Sequence, residues 1–408
     1  MKRLIDKATG HLSLVIIILG AACFFAANIL LKEVLSEQAY GQYSIAITYF
    51  SIIYMYGLLG SEQLFLRFSH HIGPNTITTQ RFQKQLIICV ILITSVLATV
   101  FFAVGYGHAT HCSIVMLYLS SLGIIGLLYL FNIFRLNGQF VFAQFLSNFW
   151  KIVLVPIAVL WYFKWLAGLP MLIDILMAAI IISVAIALFV FFRRIQFVYD
   201  ESVSRKETLT MFFHQFISIS AFSLLMFGDR FIIERKFGVA GFGNYFYLTN
   251  FFLAPFSILQ NYVGFKQLVF FKKHFTMTGF DALNRKILLF SLAMGIGLYF
   301  LPAIVGRFVR LNFDFGRYQA VILLLLILGV ARLYSASILS AFEAKTTVKT
   351  LQKANLIFIG LAGLIIGLAF LFFNALEWII LAMILIWLFR SILLRQLLLK
   401  IVNQEPNH

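Results

Sequence analysis

Twelve apolar stretches follow one another along this chain with almost nothing between them. They lie at about 11–31, 43–68, 86–106, 112–134, 140–162, 171–192, 210–233, 244–265, 286–306, 319–340, 354–373 and 377–399. Each is close to or above the roughly 20 residues that an α-helix needs to cross hydrocarbon. The longest connection, Arg193 to Leu209, is too short to hold a soluble domain. No stretch alternates with the strict period of a barrel strand, so helices are the spanning structure to expect. The chain reads as an all-α integral membrane protein with twelve transmembrane helices. Its charged fraction of 12% and mean hydropathy of +0.96 agree, against roughly 25% charged residues in a soluble domain.

The charge that remains is unbalanced: 32 Lys plus Arg against 15 Asp plus Glu, a net +17. In a soluble protein that excess would suggest nucleic acid; in a membrane protein it is topological, and no nucleic-acid partner is expected. With both termini in the cytoplasm, 22 of the 32 cations, Arg390 among them, fall at inner ends, eight at outer ends, and Lys151 and Arg332 stay inside spans. That split supports the orientation. Trp161, Trp165 and Trp378 fall at outer boundaries, where interfacial anchors belong. Cys23, Cys89 and Cys112 lie in or beside apolar runs and form no disulfide framework. Leu19-Gly20-Ala21-Ala22-Cys23 imitates a lipoprotein cleavage box, but the apolar run continues to Leu31. A first helix with a small-residue packing face is the better reading.

One segment recurs at half the chain length. KEVLSEQAYGQYSIAITYFSIIYMYGLLGSEQLFLRF, Lys32 to Phe68, is echoed from Asp229 to Phe270. Gly241-Phe242-Gly243-Asn244-Tyr245 answers Ala39-Tyr40-Gly41-Gln42-Tyr43, and Gly264-Phe265-Lys266-Gln267-Leu268 answers Gly60-Ser61-Glu62-Gln63-Leu64. Gly41 and Gly243 are expected at the outer turn between the first two helices of each half. Six spans per half is an even number, so the halves are parallel repeats about an axis along the membrane normal. The expected lobes are 1–195 and 196–408, with a central cavity between them.

Together, the Gly-Gln-Tyr turn, the Gly-x-Glu-Gln-Leu-x-x-Arg close of the second helix and Asp229-Arg230 near the end of the seventh resemble the O-antigen-type polysaccharide flippases. These belong to the multidrug/oligosaccharidyl-lipid/polysaccharide exporter superfamily, and the resemblance covers essentially the whole chain. It implies alternating-access transfer of an undecaprenyl-diphosphate-linked oligosaccharide repeat unit from the cytoplasmic to the periplasmic leaflet. It further implies a multi-pass protein of the bacterial inner membrane, serving O-antigen, capsule or exopolysaccharide assembly. Membrane lipids, polymerase and chain-length proteins are the implied partners, with H+ or Na+ as candidate coupling ions and no bound cofactor.

The intramembrane charges carry the chemistry. A cation at mid-span costs roughly 2.5–3.5 kcal/mol on insertion scales unless it meets a partner or a watery cavity. Lys151 and Arg332 are therefore candidate ligands of the lipid diphosphate, and Asn148 and Asn250 candidate ligands of sugar hydroxyls; Asn28, Asn132 and Asn261 are similar amides. A structural ion pair or interhelical hydrogen bond is the alternative for each. Pro156, one turn beyond Lys151, is positioned to kink its helix. Asp229-Arg230 reads as an outer gate or a local ion pair. Glu62 and Lys266 occupy equivalent repeat positions with opposite charge, an inner-gate pair unless both face interfacial water.

Two rival functions stay open. A cation-coupled multidrug exporter of the same superfamily should show acidic rather than basic intramembrane sites. An integral-membrane polysaccharide polymerase should show catalytic groups and a large outer loop. The chain has no metal-spaced histidines, no HExxH, no Walker loop and no nucleophile elbow, so neither catalytic nor metal residues are assigned.

Overall fold

In the computed structural model the chain separates into two compact units, Met1–Ser220 and Ala221–His408. The structure describes residues 2–73, 75–110, 113–165, 169–201, 203–307, 311 and 313–404. Within these, the side chains at 2–11, 14, 107–110, 169, 170, 261, 265, 266, 269, 272, 273, 348 and 404 lie outside the description. Among the described residues, eleven helices are long and apolar enough to cross a membrane, rather than twelve. The difference is one junction: the expected seventh and eighth segments run together as a single span, Arg205–Gly264.

Unit 1 contains α1 (Lys2–Val34), α2 (Glu37–Tyr56), α3 (Ser61–Phe68), α4 (Arg81–Thr110), α5 (Ile114–Leu136), α6 (Phe140–Tyr162) and α7 (Leu169–Arg194). The closest association is α1 along α6, and α5 packs on α4, α6 and α7. Small residues make this approach close. A methyl group at Gly20 of α1 would stand 2.6–2.8 Å from the Asn148 side chain of α6. Gly20 thus serves close packing, as small residues do in apolar bundles. Lipid-facing positions are as apolar as the core: Leu97 and Val104 of α4 are among the most exposed side chains.

The connections that follow α3 and α7 are not irregular, as the apolar pattern alone would suggest. Strands β1 (His70–Gly73), β2 (Thr76–Thr79) and β3 (Gln196–Tyr199) form a small sheet, β1 antiparallel and β3 parallel to β2. Asn75 ties it down from a left-handed conformation, φ +61°, which asparagine tolerates better than most residues. Its Oδ1 accepts from Asn137 Nδ2 at 2.9 Å and Gln139 Nε2 at 3.2 Å, joining the α5–α6 connection to the sheet. Lys84 Nζ, at the start of α4, donates to Tyr199 Oη at 3.1 Å and lies 4.5 Å from the Phe197 ring centre.

Helix α8 (Arg205–Leu248) contains the division between the units and a break at Gly238, φ +68° and ψ −176°. Unit 2 continues with a π-helical turn, Thr249–Leu253, then α9 (Ala254–Lys273), α10 (Met277–Val305), α11 (Gln319–Lys345), α12 (Val348–Phe372) and α13 (Leu376–Gln404). Helix α11 is central, packed by α9, α10 and α13. Helix α10 shows how the sequence selects a face. Phe280, Asn284, Ile287, Ser291 and Gly295 form its buried stripe at helical spacing, while Leu289, Phe290, Ile296 and Phe300 are exposed. Gly329 of α11 lies against Phe256 of α9, leaving no room for a Cβ.

Three expectations are corrected here. Gly41 and Gly243 are helical positions rather than turn residues. The first turn is made earlier, where Ser36 caps α2 by accepting from Ala39 N at 3.2 Å. In the second copy the bend is at Gly238, as far ahead of Gly243 as Ser36 is of Gly41. Trp161 is not an exposed anchor but a buried residue of α6, whereas Trp165 and Trp378 are exposed. Arg390, read as an inner-end cation, lies midway along α13 and is only 6% exposed.

Candidate functional site

Lys151 and Asn148 share one face of α6, one turn apart. Lys151 Nζ donates to Asn148 Oδ1 at 3.2 Å, and Asn148 Nδ2 donates to Gln144 O at 2.9 Å and Ser147 Oγ at 3.1 Å. Asn148 thus spends its amide on its own helix and uses its oxygen to orient the lysine. The ammonium lies 5.6 Å from the ring centre of Trp150, which is buried and packs edge-on against Phe24 of α1. Among the described residues, Trp150 Nε1 has no hydrogen-bond partner.

In unit 2, Arg332 of α11 is 3% exposed and lies 5.5 Å from the ring centre of Trp387 on α13. Arg390, one turn beyond Trp387 on its own helix, lies 5.4 Å from the same ring. The structure therefore brings a second buried arginine to the first. Inner-end counting hid Arg390, because α13 extends as a helix well beyond the residues needed to span. Its position, midway between Leu376 and Asn403, was the available signal.

Asp229 and Tyr245 are brought together across the Gly238 bend: the Tyr245 hydroxyl donates to Asp229 Oδ2, and Asp229 Oδ1 has no partner among the described residues. Arg332 and Arg230 both act electrostatically on Tyr245. Arg230 lies over Phe227 at 4.8 Å and Phe246 at 5.9 Å. Asn250 sits in the π-helical turn, buried, its Nδ2 likewise unpartnered among the described residues. By contrast Asn28 is engaged: its Nδ2 donates to Phe24 O and its Oδ1 accepts from the Tyr40 hydroxyl. Asn132 Nδ2 donates to Leu128 O. Glu62 is a buried first-turn residue of α3, whose Oε2 finds no partner among the described residues. Lys266 is a helical position of α9 whose side chain lies outside the described residues, as does that of Asn261.

No protein-family model matches the chain, and no curated protein matches it. Solved structures do. The chain is similar to the lipid II flippase MurJ in an inward closed conformation, TM-score 0.65 at 15% identity over 96% of this chain and 89% of that one. It is similar to an inward-facing multidrug resistance MATE family transporter of the MOP superfamily, TM-score 0.62 at 12% identity over 96% and 99%. The MATE multidrug transporter DinF-BH gives 0.61 at 18% identity over 97% and 95%. The chain shares the fold of these solved structures. With eleven helices among the described residues long and apolar enough to cross a membrane, the chain is a multi-pass membrane protein.

Proposed function

We propose that this chain is a flippase that moves an undecaprenyl-diphosphate-linked oligosaccharide repeat unit from the cytoplasmic to the periplasmic leaflet by alternating access, in a bacterial inner membrane with both termini cytoplasmic. The observation that carries the reading is the set of cations held within apolar spans, Lys151 and Arg332 foremost. A diphosphate must give up water to cross; arginine offers it a two-pronged fork and lysine a mobile point charge. A pathway for cationic drugs would be opposed by the same residues. Asn250, with its unpartnered amide, is the assigned contact for sugar hydroxyls; Asn148 orients Lys151.

One observation favours the multidrug-exporter reading: Asp229 is a buried carboxylate with one oxygen unpartnered among the described residues. Deletion of the gene separates the two. The flippase reading expects loss of one surface polysaccharide with accumulation of its lipid-linked unit on the inner leaflet. Intact surface glycans with heightened sensitivity to cationic dyes would overturn it in favour of drug export.

A further inference from the structure

Unit 1 has an open crevice of about 600 Å³ where α6 begins and α7 ends. That volume is within the roughly 300–1,000 Å³ of small-molecule sites. Its walls are apolar: Phe140 and Phe145 of α6, Val190 of α7 and Ile16 of α1. A single charged side chain lines it, Arg194, the last residue of α7. Arg194 is exposed, and among the described residues it makes no hydrogen bond, ion pair or ring contact. The first N–H groups of α6 open beside it, because Gln139 does not cap that helix with its side chain. Val190 stands one turn before Arg194, and Phe145 more than one turn beyond Phe140. The polar mouth therefore leads to walls that run into two spans.

A cation at the mouth of an apolar crevice matches an amphiphile with a negative headgroup. A soluble anion would use the mouth and leave the walls bare. A neutral lipid would use the walls and leave the guanidinium unpaired. An acidic protein segment could not follow the walls, since they belong to membrane spans. We propose that the crevice holds an anionic phospholipid, its phosphate at Arg194 and one acyl chain along Phe140, Phe145 and Val190. Arginine suits the headgroup because its fork can take two phosphate oxygens at once. The neighbouring residues place this end of α7 at headgroup level. Arg193 lies 4.4 Å from the ring centre of Phe189, and Phe192 is 77% exposed, so rings and cations are presented together. The proposed orientation puts the site in the inner leaflet. A lipid there bridges α1, α6 and α7 around the helix that carries Lys151, whatever the protein transports.

The full-length protein, stripped of lipid in detergent, is titrated with phosphatidylglycerol and the bound lipid is counted by native mass spectrometry. Saturable binding is expected, tighter than that of phosphatidylcholine. Arg194→Gln should weaken the apparent Kd by about tenfold, as loss of a charged hydrogen-bonding partner does, and Arg194→Lys should fall between. Arg194 is exposed, so these variants should melt as the wild type does. Val190→Trp fills the crevice and should abolish binding with Arg194 intact; its melting is measured to show that it folds. Phosphatidylglycerol with a photoreactive acyl chain should label the peptides that contain Phe140–Phe145 and Val190. Equal affinity for phosphatidylcholine, or undiminished affinity in Arg194→Gln, overturns the headgroup contact and with it the site. Labelling confined to other helices overturns it too. Displacement by inorganic phosphate alone would make the mouth a free-anion site and overturn the lipid. Displacement by undecaprenyl phosphate at far lower concentration than phosphatidylglycerol would overturn the phospholipid as occupant in favour of a polyprenyl chain.

Discussion

Each unit sets a mid-span cation against a buried tryptophan whose indole nitrogen has no partner among the described residues, but the two are built differently. In unit 1, Trp150 and Lys151 are neighbours on α6, and Asn148 on the same helix holds the ammonium. In unit 2, Trp387 lies between Arg332 of α11 and Arg390 of its own α13. The first site is a single-helix device with one movable point charge. The second needs two packed helices and fixes two planar forks. A one-helix site is robust to small shifts of its neighbours; a two-helix site depends on the α11–α13 packing. Both sites lie outside the repeated segments, so the repeat does not generate one from the other.

The sharpest way to break this comparison is to exchange the cations. Lys151→Arg should retain export within a few-fold, since a point charge suffices there, whereas Arg332→Lys should lose about tenfold or more because the fork is gone. Surface glycan, normalised to the amount of protein in the membrane, is the measurement. Equal losses would erase the distinction between the sites.

Next come the close approaches that hold each site. Gly20→Leu should displace Asn148 and cost about 1–3 kcal/mol by overpacking, with export falling beyond what the stability loss explains. Gly329→Leu should destabilise similarly through Phe256. Thermal melting in detergent, paired with export, reads both; a melting shift with export unchanged would detach Gly20 from the lysine site.

The repeat itself offers a third test. Gly60 has φ +83°, and a Cβ there would stand 2.8 Å from Gln215 Cβ, so Gly60→Ala should cost at least about 1–2 kcal/mol. Its counterpart Gly264 is helical, with Ser340 Oγ the nearest atom at 4.0 Å, so Gly264→Ala should be neutral or slightly stabilising. Equal melting shifts would mean that the two copies are less different than their backbones. The smallest effect is expected from Ser36→Ala, about 1 kcal/mol for a lost helix cap.

Those copies show how far the sequence could be read. Gly41 to Gly60 is 19 positions and Gly243 to Gly264 is 21, a difference visible by counting. The consequence was not visible. The first copy ends α2 at Tyr56 and restarts at Ser61 through Leu59 and Gly60, both with positive φ. The second runs on, with the π-helical turn Thr249–Leu253 and a continuous α9. A π turn takes up an extra residue without ending a helix, so the two copies reach similar lengths by opposite means. Nothing in the local residue types chose between them.

What the sequence determined by itself was the class. Apolar runs of spanning length force backbone hydrogen bonds to close within each segment, so the all-helical membrane architecture follows from length and composition alone. It also exposed Lys151 and Arg332, because a charge inside such a run stands out against its neighbours. Only the tertiary structure decided that α7's exit strand pairs with β2, that Asp229 faces Tyr245 across Gly238, and that Arg390 joins Arg332 on Trp387. These partners lie far apart in sequence or across a bend. Their meeting depends on the rotation and depth of packed helices, and hydropathy, which reports only whether a residue is oily, carries no record of either.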